Sequence, residues 1–245
     1  MVDHKFPEIS RQLYDRIRLV RRDIGDLLFH FTRGLTDNSN VTVQHSAGFS
    51  TTMNGTAGNV LRKILYDGKL MGTGNWTNGE NCVCFTEAPI QEFNAIFSLV
   101  SIAASKEERP RYEPYGIAVS KRWLFKQGGR PVIYDSPSEF EKLTSNLHHR
   151  FVPYDPDRGI DFTWEREWRI QTDQLILDPK NTLVVLPTAD DAFELVYEFA
   201  NLEADFDDEN GDPVGVYHTP IWLAVSLDLF GFECEQNDLC KRDVN

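Results

Sequence analysis

Two short stretches carry residue types able to act on a polar substrate. The first is Leu27-Leu28-Phe29-His30-Phe31-Thr32-Arg33. A histidine in an otherwise apolar strand needs a polar partner, because an unpaired polar group is costly to bury. Thr32 lies two residues on and so shares its side of the strand. An imidazole and a hydroxyl pointing together into a cleft could hydrogen-bond ribose hydroxyls. The plainer alternative is a core histidine whose ring is satisfied internally. Asn59 heads the next helical stretch, where it could cap the helix or reach into the same cleft.

The second stretch is Thr163-Trp164-Glu165-Arg166-Glu167-Trp168-Arg169-Ile170. Read as one strand, it places Thr163, Glu165, Glu167 and Arg169 on one face and Trp164, Arg166, Trp168 and Ile170 on the other. Carboxylates two residues apart on a strand stand about 7 Å apart. Such a pair suits a reaction with a cationic transition state. Glu167 could hold a ribose hydroxyl and stabilise an oxocarbenium ion. Glu165 could orient or deprotonate the incoming nucleophile. The alternative is an exposed edge strand carrying a Glu–Arg ladder.

These residues depend on the elements around them. Residues 8–24 read as an amphipathic helix with Leu13, Ile17 and Val20 on one stripe. Strands are expected at 26–32, 82–87, 115–120, 130–135, 162–170 and 182–187. Helices are expected at 57–67, closed by Gly68, at 89–105, and at the start of 136–152. Residues 121–129 form a helical turn ending in two glycines, and Thr188 with Asp191 resembles a capping box for a helix bearing Phe193, Val196, Tyr197 and Ala200. The span 216–233 mixes a strand with a short helix or second strand. Residues 33–56 are rich in Thr, Ser, Asn and Gly without an apolar period, which predicts a loop insertion that could act as a lid. Strands and helices intermix without regular alternation, so the fold class is α+β rather than a doubly wound sheet.

Composition narrows the function. The 245 residues fit a single domain. No apolar run approaches the roughly 18 residues of a membrane span, and no signal core opens the chain, so a cytoplasmic location is expected. A net charge of −13 argues against coating nucleic acid through phosphate contacts. It leaves room for a local basic cleft, and basic residues do cluster at Arg11, Arg16, Arg18, Arg21 and Arg22, then at Lys121, Arg122, Lys126 and Arg130. A solvated helix face is the plainer reading of each cluster. Cys82, Cys84, Cys234 and Cys240 lack zinc-ligand spacing and read as free thiols, with Cys82 and Cys84 on one strand face. The acidic run 203–212 lacks the glycine and terminal glutamate of a calcium loop, so no metal is expected. No glycine-rich phosphate loop is present.

The run Phe29-His30-Phe31-Thr32, followed by Asn59-Val60-Leu61-Arg62-Lys63-Ile64-Leu65-Tyr66-Asp67-Gly68, resembles the opening of DarT-type ADP-ribosyltransferases, which modify DNA bases. Cys84-Phe85-Thr86-Glu87-Ala88-Pro89, the segment 115–134 and Glu167-Trp168-Arg169 look like the abortive-infection AbiGi group of phage-resistance proteins. The resemblance covers about residues 27–170. It implies a split mixed β-sheet core with flanking helices and NAD as co-substrate. His30 would bind the adenosine-side ribose, the Phe31 backbone the nicotinamide amide, and Thr32 and Asn59 would position the cofactor. Phe85, Thr86 and Tyr134 would complete the NAD pocket. Glu167 would be the catalytic glutamate and Glu165 its acceptor-side partner, while Arg33, Arg130 and Arg169 would face the substrate. The family carries a catalytic arginine where this chain has Glu87 and Ala88; Arg33, Arg111 and Arg130 are the cations available to replace it.

The resemblance implies an NAD-dependent ADP-ribosyltransferase toxin of phage defence or of a toxin–antitoxin system. Its acceptor would be RNA or DNA, and an antitoxin or regulatory protein would restrain it. The alternatives are an inactive relative serving as a binding module or antitoxin, and an NAD glycohydrolase.

Overall fold

The computed structural model describes residues 10–20, 25–35, 39–45, 48–75, 77–93, 97, 112–200, 203–206, 213–217 and 221–232. In chain order, α1 (Arg11–Val20) leads to β1 (Leu27–Phe31) and the hairpin β2 (Asn40–Gln44) and β3 (Ser50–Asn54). Then come α2 (Ala57–Asp67), β4 (Lys69–Met71), β5 (Cys82–Thr86) and β6 (Gly116–Ser120). Next are α3 (Lys121–Gln127), β7 (Arg130–Pro131), β8 (Ile133–Asp135) and β9 (Phe151–Pro153). The chain continues through β10 (Glu167–Gln171), β11 (Gln174–Ile176), β12 (Thr182–Leu186) and α4 (Ala189–Ala200). It ends with β13 (Glu203–Phe206), β14 (Pro213–Tyr217) and β15 (Leu223–Ser226).

The architecture is α+β, centred on a seven-stranded mixed sheet in the order β15-β12-β6-β1-β5-β10-β7. Its neighbours run antiparallel except β12 and β15, which are parallel. Contact between its two halves is thin. β1 pairs with β6 along all five of its residues, but with β5 at one registered position, Phe29 opposite Thr86. Gly116 allows the close β1–β6 approach: a Cβ there would meet the His30 carbonyl oxygen at 2.4 Å.

One face of the sheet packs Leu28, Val83, Phe85, Ile117, Val119, Trp168 and Ile170 under Leu61 and Leu65 of α2, Leu124 of α3, and Leu195 and Phe199 of α4. The other packs Phe29, Phe31, Ala118 and Val185 against Phe93, Phe97, Leu227 and Phe232. α2 follows its expected plan, with Leu61 and Leu65 inward and Gly68 in the left-handed region at φ 63°. Thr56, not Asn59, caps it, accepting the Asn59 amide. Thr188 and Asp191 form the expected capping bond at the head of α4.

Several expectations need correction. The 33–56 loop contains the β2–β3 hairpin, which packs Val41 and Val43 inward. Residues 130–135 form two short strands in different sheets. Pro137–Lys142 and Ser145–Arg150 are 3-10 turns rather than a helix. The stripe on α1 does not reach the core, since Leu13 and Val20 are exposed. On α4 the core residues are Leu195 and Phe199, and Phe193 and Tyr197 point outward. The acidic run opens as β13, paired with β14, while residues 207–212, Cys234 and Cys240 lie outside the described residues. Within the expected helix 89–105, Ile90–Glu92 is a 3-10 turn and Phe93 and Phe97 are helical; residues 94–96 and 98–105 lie outside the description. Among the described residues, no helix is long and apolar enough to cross a membrane.

Candidate active site

Glu167 opens β10, and Arg169 follows on the same face. The guanidinium grips the carboxylate at both oxygens, Nε to Oε1 at 2.8 Å and Nη2 to Oε2 at 3.0 Å. Its remaining nitrogen, Nη1, donates to the carbonyls of His149 at 2.7 Å and Phe151 at 3.3 Å. This planar fork matches carboxylate geometry, and it is nearly fully buried. A carboxylate has about four acceptor positions, so the fork leaves Glu167 able to accept from a ligand hydroxyl.

Tyr134 fixes the start of the strand. Its hydroxyl accepts the Glu167 amide at 3.0 Å. Burial pushes the Tyr134 phenol up to about 12, so it stays protonated. Cys84 lies on the same side, its thiol raised by burial and then by the Glu167 charge. Burial likewise pushes Cys82 up to about 11. Both are free thiols, as expected, and hold their protons.

Glu165 does not sit where strand alternation expects it. Thr163–Glu165 is a 3-10 turn, and Arg166 adopts φ 45° and ψ 50°. Strand geometry therefore begins only at Glu167, and the period-two rule fails across the left-handed residue. Glu165 is turned inward, 3% exposed, and its carbonyl accepts the Thr86 hydroxyl. That hydroxyl also accepts the Ala88 amide at 3.1 Å. The Glu87 amide donates to the Arg166 carbonyl at 3.2 Å, so the corner is held from both sides.

His30 lies apart from this corner. Opposed residues on neighbouring strands share a face. Phe29, Thr86 and Glu167 stand abreast, which places His30 with Phe85 and Trp168 on the opposite face. The rings of His30 and Phe85 lie 5.7 Å apart. His30 Nδ1 hydrogen-bonds the Cys84 carbonyl at 2.8 Å, where β1 and β5 lose their ladder pairing. Burial lowers its pKa, so the ring is neutral at pH 7 and Nδ1 is the donor. The two-residue grip of His30 and Glu167 on one ligand face is not assembled.

The remaining candidates divide. Thr32 is buried, and its hydroxyl lies within bonding distance of the carbonyls of Ala57 at 3.0 Å and Tyr115 at 2.9 Å, tying β1 to α2. Phe31 is a core ring against Phe93 and Phe97. Asn59 bonds the Asn54 carbonyl at 3.2 Å and its side chain, and accepts from Arg62 at 3.4 Å. It lines a cavity of about 130 Å³ with Arg62 and Glu194, away from Glu167. Arg33 is exposed. Arg130 lies on the Phe125 ring at 3.9 Å and donates to the Phe125 and Gly129 carbonyls. Arg169 is the internal partner of Glu167 rather than a surface group.

Sequence reasoning missed one cluster. Glu87 accepts the Trp168 indole N–H at 2.8 Å and pairs with Lys121. The Lys121 ammonium also sits over the Trp168 ring, 5.6 Å from its centroid. The residue standing where an arginine was expected thus locks a tryptophan on the face opposite Glu167. The alternation of Phe85, Glu87 and Trp168 was the available signal. Among the described residues no group of His, Cys, Asp and Glu could hold a metal ion.

No family model, curated protein or solved structure matches this chain.

Proposed function

We propose that this protein is an NAD-dependent ADP-ribosyltransferase acting in phage defence or a toxin–antitoxin system, with nucleic acid as acceptor. The observation that supports it most is the Glu165-Arg166-Glu167 corner. Residues held in the left-handed region without being glycine tend to gather at functional sites, where surrounding structure over-determines them. Here Tyr134 and Thr86 clamp the backbone on either side. The carboxylate presented is oriented and charged before any ligand arrives, as preorganised electrostatic catalysis requires. The thin β1–β5 contact agrees with the split sheet that the resemblance implies.

In this reading Glu167 accepts a ribose hydroxyl and stabilises positive charge at the anomeric carbon. The nicotinamide–ribose C–N bond breaks, and nicotinamide leaves with the electron pair. An acceptor nucleophile then bonds to that carbon, and its proton passes to a nearby base, the role proposed for Glu165.

A second reading rests on a specific observation. His30 and Glu167 leave the sheet on opposite faces, which favours a relative without turnover, serving as a binding module or antitoxin.

Incubation with labelled NAD and total RNA, DNA and protein separates these readings, with Glu167→Gln as control. Glutamine still accepts from Arg169, and circular dichroism verifies the fold. Label in one fraction, falling about 10²–10³-fold in the variant, supports the transferase. Free ADP-ribose without labelled macromolecule indicates a glycohydrolase. NAD binding without turnover favours the second reading, and neither binding nor consumption overturns the NAD assignment.

A further inference from the structure

The central sheet ends on one side in a strand with an open edge. β15 pairs with β12, and among the described residues no strand pairs with its other edge. Sheet edges are usually defended by charges, prolines or bulges. Leu223-Ala224-Val225-Ser226 has none of these and keeps an unbroken register with β12. Large apolar side chains gather at this edge. Ile221 is 66% exposed and Leu223 62%, and Leu229 and Phe230 in the turn after β15 are exposed as well. α4 packs against β15. Its Phe193 and Tyr197 are 73% and 63% exposed, with their rings stacked 6.4 Å apart. Glu198 of the same helix bonds Arg62 and Tyr66 of α2. Phe193 and Tyr197 lie about 100–140° around the helix from Glu198, on the flank away from α2.

Side chains of this size cover roughly 150–250 Å² each, so these six present on the order of 700–800 Å², close to the roughly 800 Å² that one partner gives to a standard interface. The largest apolar patch on a typical monomer is only about 300–600 Å². Charge gives this edge little means of selecting a foreign partner. Residues 189–200 and 221–232 contain no lysine or arginine. Asp228 accepts the Ala189 amide at 2.9 Å. Of the acids on α4, Asp191 and Glu194 line the small cavity beside α2 and Glu198 pairs with Arg62, which leaves Asp190 in the first turn.

We infer that this edge is a two-fold interface between two copies of the chain, in which β15 pairs antiparallel with its counterpart and the two α4 helices pack together over the seam. A strand edge turned by 180° is complementary to itself, and a two-fold interface uses the same patch on both copies. The two-fold also sets the α4 helices antiparallel, so Asp190 of one copy lies toward the last turn of the other helix and like charges are not opposed. β10 stands five positions along the sheet from β15, so both Glu167 carboxylates stay clear of the seam and the inference does not rest on the transferase reading.

The test is sedimentation velocity on the full chain at about 100 µM, where a species of twice the 28.1 kDa chain mass is expected. A net charge of −13 on each copy repels at long range, so the dimer should hold or tighten as salt is raised. Phe193→Glu and Leu223→Lys should each weaken it about tenfold or more. Both positions are exposed, and circular dichroism verifies each fold. Amide hydrogen exchange over residues 221–226 should be slower in the parent chain than in Phe193→Glu. A monomer at that concentration overturns the inference and leaves the edge to a different partner. Assembly beyond the dimer overturns the closed two-fold, and a dimer unchanged in both variants places the interface elsewhere. Equal exchange in the two proteins overturns the strand pairing, and a dimer that loosens with salt overturns the apolar seam.

Discussion

The two faces of the central sheet at β5 and β10 differ in what they do with charge. On one, Glu167 and Arg169 form a closed fork roofed by the His149 and Phe151 carbonyls, with Cys82 and Cys84 beside it. On the other, His30, Phe85 and Trp168 lie in a row that ends under Lys121 and opens into the α1–α3 groove. Both faces are largely buried; the first holds an ion-paired fork with Glu167 partly exposed at its edge, and the second is aromatic, with Trp168 reaching the rim of the groove. One backbone step separates them, because adjacent strand residues point to opposite sides. A motif shared by spacing therefore says little about function until its face is known.

The sharpest way to break this comparison is Arg169→Met. It strands the Glu167 carboxylate and two carbonyls inside the protein, and breaking a buried ion pair costs about 3–5 kcal/mol. Thermal denaturation should show a melting temperature lower by on the order of 10 °C. A change below about 3 °C would mean that the fork is solvated and the face not closed.

The corner between the faces gives a smaller effect. Arg166 carries a positive φ that costs a residue with a side chain roughly 1–2 kcal/mol. Arg166→Gly should therefore be more stable than Arg166→Val by about that amount in urea unfolding. Equal stabilities would show that the left-handed turn is not held at Arg166.

The smallest effect concerns the second face. His30 is neutral, with a pKa below its unfolded value of about 6.5. The unfolded chain therefore binds more protons below pH about 6.5, so stability is complete above that pH and falls as pH drops toward the folded pKa. His149 shifts in the same direction, through burial and then Arg150 and Arg169. His30→Gln should remove only part of the slope, at most about 1.4 kcal/mol per pH unit. An unchanged slope between about pH 7 and 5 would mean that His30 is not held neutral by burial.

The chain's local signals fixed much of the secondary structure. Short, nearly continuous apolar runs gave β1, β5, β6 and β12, because strands of a sheet covered on both faces are apolar throughout. Gly68 and the Thr188–Asp191 box marked helix ends, because caps are satisfied within a few residues. The α+β class was legible from the mixture of these elements. The pairing partners were not. The Glu167–Arg169 pair is local to β10, but that Tyr134 belongs to the Glu167 amide and Glu87 to Trp168 and Lys121 depends on sheet order, which joins residues up to 81 positions apart. The inward turn of Glu165 followed from one left-handed residue, which nothing in Thr163–Arg169 announces. The meeting of the two basic segments was decided by how α1 and α3 pack beside β10. Apolar runs and capping are short-range effects, and a sequence reveals them. Face, register and charge partner are set by long-range packing, which only the tertiary structure decides.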